Sequence, residues 1–181
     1  MKTNLIKISL IIIIIIAIAI LIGTTYSIYE KSTLTTANWK TYTRNVPADK
    51  TPYYNNSKFT ITIQYPPNWT IKELHATSNR VVDDPKEINT AILSGKEGAI
   101  RLAWGPMGFG GVCSTNMIKT IQLKNKQVSS CQYADNQGNQ IIGGVSSETD
   151  NQPFEANATA SSSDPRGNLV KKILSTLQVT N

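Results

Sequence analysis

The stretch Lys58-Phe59-Thr60-Ile61-Thr62-Ile63-Gln64-Tyr65-Pro66-Pro67-Asn68-Trp69 decides the fold class. Phe59, Ile61, Ile63 and Tyr65 alternate with Thr60, Thr62 and Gln64, the period-two pattern of a strand with one buried face. Pro66 and Pro67 end that strand, because neither has an N–H to give to a ladder. Trp69 then opens a second strand, Thr70 to His75. Further strands are expected at Thr90 to Ser94 and Ala99 to Trp104, joined through Gly95-Lys96-Glu97-Gly98. Lys119 to Leu123 and Gln127 to Ala134 read as another hairpin, and Asp135-Asn136-Gln137-Gly138-Asn139 as a turn into Ile141 to Ser147. Phe154 to Thr159 follows. Upstream, Trp39 to Thr43 reads as a first strand. Asn45 to Ser57, with Pro47, Pro52, Asn55 and Asn56, reads as a loop.

The last element reads as a helix. Asp164 is the expected N-cap, with Pro165 at the first helical position. Leu169, Val170, Ile173, Leu174 and Leu177 share one face, with Lys171 and Lys172 toward the C-terminal end of the helix. A run of antiparallel strands closed by a helix is an α+β domain.

The other end of the chain belongs to a different solvent. No charge occurs from Ile8 to Tyr29, and Ile11 to Ile16 are consecutive isoleucines. A helix of that length spans about 33 Å, enough for the bilayer hydrocarbon. Lys2 and Lys7 precede it, so the charge bias keeps the N-terminus in the cytoplasm and sends the rest across. Residues 1–29 are therefore expected to be a cytoplasmic N-terminus and transmembrane anchor, 30–38 a polar stalk and 39–181 an extracytoplasmic domain. A cleaved signal peptide is the competing reading. Ala17-Ile18-Ala19 is a poor cleavage site inside the apolar core, and Thr25-Tyr26-Ser27 a tolerable one. The expected address is the cell membrane, with the bilayer met through residues 8–29.

Cysteine usage fits export. Cys113 and Cys131 are the only two, and an even number outside the cytoplasm favours one disulfide over two buried thiols. Closing that loop contributes about 3 kcal/mol in the chain-entropy account. Residues 30–181 carry 16 Lys+Arg against 12 Asp+Glu within a surface rich in Ser, Thr, Asn and Gln. Dispersed charge of that kind argues against nucleic-acid binding.

The residue pattern also resembles the PsbP-like domains. Asn38-Trp39-Lys40-Thr41-Tyr42, the stretch quoted above and Ile173-Leu174-Ser175-Thr176-Leu177 carry the likeness, with Trp39, Phe59, Tyr65, Pro66 and Trp69 as its structural motif. It would cover about residues 37–180. The resemblance implies an antiparallel sheet sandwiched by helices. It also implies an accessory or binding role in the cell envelope, outside enzyme chemistry, with an envelope protein as partner. Photosynthetic members of that family influence calcium, chloride and manganese retention, but no ligand residue maps onto this chain.

Catalytic signals are sparse. His75 is the only histidine, and no nucleophile motif stands near it. Glu73, Asp83, Asp84 and Glu87 are the one acidic group from which an acid/base pair could be drawn; a polar loop beside Pro85 reads more simply as a solvated turn. No metal site or cofactor is expected. The Asp135 to Asn139 run lacks the ligand alternation and the later glutamate of a calcium loop. Gly105-Pro106-Met107-Gly108-Phe109-Gly110-Gly111-Val112-Cys113 is the candidate interaction loop, grouped with Trp104 at the end of the preceding strand; it would display Met107 and Phe109 at a rim, and the plainer reading tucks both into the core. A non-catalytic binding module is thus the leading expectation. An anchored or secreted hydrolase and a structural spacer are the others.

Overall fold

The computed structural model describes residues 14–21, 36–51, 54–56, 58–76, 81–82, 89–104, 113–146 and 154–180. The chain forms two units, Met1–Ala37 and Asn38–Asn181. In the first, residues 14–21 are helical (α1), and Ile14, Ile15, Ile16, Ile18, Ile20 and Leu21 are all exposed. Among the described residues no helix is long and apolar enough to cross a membrane. The rest of the expected span, 8–13 and 22–29, lies outside the described residues.

In the second unit the described strands are β1 (Lys40–Val46), β2 (Asp49–Thr51), β3 (Tyr54–Asn56), β4 (Phe59–Tyr65), β5 (Thr70–Ala76), β6 (Val81–Val82) and β7 (Thr90–Gly95). They continue with β8 (Gly98–Trp104), β9 (Ile118–Gln122), β10 (Gln127–Ala134), β11 (Gln140–Ser146), β12 (Phe154–Ala160) and β13 (Gln178–Thr180). All pair antiparallel. With helix α2 (Asn168–Leu174) the class is α+β.

The strands make two principal sheets. One has the order β1-β4-β13, the other β6-β5-β7-β8-β12-β11-β10-β9. The quoted stretch is the crossing between them. β4 alternates buried and half-buried as its sequence dictates, and Phe59, Ile61, Ile63 and Tyr65 face inward. Pro66-Pro67-Asn68 then reverses the chain, with the Trp69 N–H bonded to the Pro66 carbonyl at 3.0 Å. The next strand enters the other sheet. One shared core results: Phe59, Ile61 and Ile63 from the first sheet meet Leu93, Ile100, Leu102 and Ile142 from the second. Trp39, Tyr42, Ile71 and Val179 pack around it.

Trp69 anchors the crossing. Its ring is 1% exposed and its indole N–H donates to a Glu97 carboxylate oxygen at 3.1 Å. Gly95 lies beneath it, where an added Cβ would overlap the indole. A glycine at the end of β7 is therefore a requirement of the tryptophan above it.

The helix departs from its expected start. Asp164 and Pro165 lie in a turn, and α2 begins at Asn168 with Gly167 as N-cap in the left-handed conformation. Asp164 still caps: its carboxylate accepts the N–H groups of Asn168 and Leu169, each at 2.9 Å. Leu169, Val170, Ile173 and Leu174 are buried, and the helix lies against β4, β8 and β12. β13 follows. The Thr176 hydroxyl donates to the Gln64 carbonyl and accepts its N–H, continuing the ladder before β13 begins.

Two short pairings fall where loops are expected. β2 and β3 form a hairpin inside Asn45 to Ser57, and Pro52 falls between them in sequence, so it interrupts neither. β6, in the sequence just before the polar loop at Pro85, pairs with His75 and Ala76.

Candidate functional site

Charged and aromatic groups converge where β1 crosses β5. Tyr42 and Arg44 are paired with Ile63 and Ile61, so both point into the space between the sheets. Glu73 on β5 reaches the same place. The Tyr42 hydroxyl donates to Glu73 Oε1 at 2.6 Å, and Arg44 Nη1 lies 3.6 Å from the same oxygen. The Arg44 guanidinium carbon stands 5.8 Å from the centroid of the Trp104 ring, within cation–π range.

Burial, then the hydrogen bond to Glu73 and the charge of that carboxylate, push the Tyr42 phenol well above its ordinary value; Arg44 opposes the shift. Tyr42 is thus a donor and no base. A raised phenol pKa contributes stability that is complete below about pH 10 and lost as pH rises above it. Each member of the cluster is turned on another, which makes it a clamp between the sheets. Tyr42→Phe is expected to cost about 1.5 to 3 kcal/mol, the range for a hydrogen bond to a charged partner. The loss should shrink above about pH 10, where the parent progressively gives up the same contribution. Urea titrations at neutral and at alkaline pH check this; an equal loss at both would leave the hydrogen bond without its assigned role.

Trp104, grouped with the candidate interaction loop, follows Ile100 and Leu102 along the inward face of β8, is 3% exposed, and lies under Arg44. Met107 and Phe109 lie outside the described residues, as do Asp83, Asp84 and Glu87. The backbone of His75 pairs with Val82; its side chain lies outside the described residues. Phe59, Tyr65, Pro66 and Trp69 are buried and Trp39 is half-buried.

Asp135 makes the expected turn. Its carboxylate accepts the N–H groups of Gln137 and Asn139 and the Asn139 side-chain amide. Those bonds, the Asn139 side chain first, hold its carboxyl below the usual range. Among the described residues no group of three or more His, Cys, Asp or Glu is placed to hold a metal ion. A cavity of about 40 Å³ lined by Leu123, Lys126, Phe154, Leu177 and Val179 has room for water or a methyl-sized group.

The exposed features gather elsewhere, on the β9–β10 hairpin. Cys113 and Cys131 form a disulfide, with Cα atoms 5.8 Å apart. Cys131 stands opposite Gly143 on β11 and Ile118 on β9, so these positions share the face turned away from the core. Tyr133 lies two residues along β10 on that face. Ile118 is 48% exposed and Tyr133 41%, and they are the exposed large apolar residues of Asn38–Asn181 among the described residues. The alternation in the sequence starts this strand at Lys119 and so leaves Ile118 out. β9 is also the last strand of its sheet. Comparison with protein-family models, with curated proteins and with solved structures found no match for this chain.

Proposed function

We propose that the chain is a single-pass membrane protein, anchored through residues 8–29, that presents a PsbP-like α+β domain outside the cytoplasm. That domain serves as a non-catalytic binding or accessory module for an envelope partner. The observation that carries this reading is the Cys113–Cys131 disulfide, since disulfides persist in oxidising compartments and are rare in the cytoplasm. The aliphatic run beginning at Ile8 and the two lysines before it supply the anchor and its orientation. The polar cluster supports a module without catalysis, because Tyr42, Arg44 and Glu73 are committed to one another across the sheets.

The test is protease accessibility with intact-mass measurement on cells expressing the full chain. Protease added outside is expected to digest residues beyond Glu30, and the untreated membrane fraction is expected to retain residues 1–29. A mature N-terminus near Ile28 would replace the anchor with a cleaved signal. Digestion only after lysis would place the domain in the cytoplasm and end the proposal.

A further inference from the structure

Among the described residues β9 is an edge strand, paired on one side only. The Leu123 N–H bonds the Lys126 carbonyl at 2.8 Å and closes the hairpin. Antiparallel ladders alternate, so Ile121 and Lys119 also turn their backbone groups to β10. Thr120 and Gln122 then turn theirs away from the sheet, whereas the Ile118 N–H is already held by the Thr115 carbonyl of the turn before the strand. Among the described residues no strand pairs with them. A row of unpaired N–H and C=O groups is a template for another chain.

Two further observations say what kind of chain. The exposed pair Ile118 and Tyr133 lies on one face beside this edge. Charge is one-sided as well: between Glu97 and Asp135 the sequence has Arg101, Lys119, Lys124 and Lys126 and no acid. The last three belong to β9 and its turn. A second copy is a poor fit. Pairing β9 with itself around Thr120 would gather six lysines with no carboxylate among them, and lysine on an edge strand is a device against self-pairing.

We infer that β9 binds an extended acidic segment of a partner protein by strand addition. The partner contributes backbone hydrogen bonds to Thr120 and Gln122, an apolar side chain over Ile118 and Tyr133, and carboxylates toward Lys119, Lys124 and Lys126. This rests on the reading of the domain as a binding module and gives that module its site and partner class. It does not depend on the compartment, so its failure would leave the anchor and the disulfide standing.

The test uses the full chain in micelles and amide hydrogen exchange followed by NMR. The probe is a synthetic peptide alternating Asp or Glu with Val over seven residues. At saturation the Thr120 and Gln122 amides are expected to exchange at least about tenfold more slowly, while Lys119 and Ile121, already bonded to β10, and Ile118, bonded to Thr115, stay unchanged. The same peptide with lysine in place of its acids should give no protection. Thr120→Pro removes an outward N–H without breaking the β9–β10 ladder, a position where an edge strand tolerates proline, and should weaken binding at least about tenfold.

Several results would overturn the inference. One is no protection at these two amides, or protection unaffected by Thr120→Pro. Another is protection that grows with protein concentration in the absence of peptide, which would make the partner a second copy. A third is equal attraction to phosphatidylglycerol vesicles without amide protection, which would make the lysines a surface for anionic lipid.

Discussion

Trp69→Ala is expected to be the most damaging single substitution, costing about 4 kcal/mol or more. Removing a buried tryptophan to alanine costs about 3 to 5 kcal/mol through lost burial and the cavity left behind. Here the ring also covers Gly95 and satisfies Glu97, itself only 7% exposed. The alanine leaves that carboxylate without its indole donor, adding about 1 to 3 kcal/mol for an unsatisfied buried group. Against a typical stability of about 5 to 15 kcal/mol, that is a large share of the folding free energy. Where soluble protein is recovered, Tm should fall by about 10 °C or more.

Trp69→Phe separates the two parts, since it keeps most of the ring and loses the donor, and about 1 to 3 kcal/mol is expected from it. Thermal melts followed by circular dichroism read both. A Trp69→Ala melt within a few degrees of the parent would mean that the sheet crossing is held elsewhere.

The second large effect is loss of the disulfide. Replacing both Cys113 and Cys131 with alanine is expected to cost about 3 kcal/mol, as for other loops of similar length in the chain-entropy account. The sequence separation of 18 residues sets that loop. In a domain of this size the loss corresponds to a fall of about 10 °C in Tm. Reductant should lower the melt of the parent by the same amount and leave the double variant unmoved. A non-reducing tryptic map should link the Cys113 and Cys131 peptides. Parent and double variant melting together, with both thiols freely alkylated in oxidised protein, would remove the cross-link from the account.

Local signals make much of the fold legible in the sequence. β4 is readable because its alternation is strict and its end is marked by two prolines. The Gly95 to Gly98 and Asp135 to Asn139 turns are readable for the same reason: their geometry depends on neighbouring residues. Asp164 is legible as a cap, yet α2 starts at Asn168, because the carboxylate reaches across a full turn to its N–H partners.

What escapes depends on pairs far apart in the chain. Tyr42 and Glu73 are 31 positions apart, and nothing local to either names the other. β13 is hidden because three residues carry too little pattern, and its partner β4 lies far upstream. Trp104 is a different lesson. Its place in the alternation Ile100, Leu102, Trp104 already puts it inside, and the glycine-rich loop after it is a misleading neighbour.

The bridge from Thr176 to Gln64 joins residues 112 positions apart. A nascent chain therefore exposes one side of β4 throughout synthesis, until the segment carrying Thr176 and β13 has left the ribosome tunnel. β1 can pair with β4 early, but the small sheet stays one strand short while the whole of the larger sheet is being made. Such long-range closure slows folding. It also leaves the domain open for a long interval, with its completion timed to the last residues of β13.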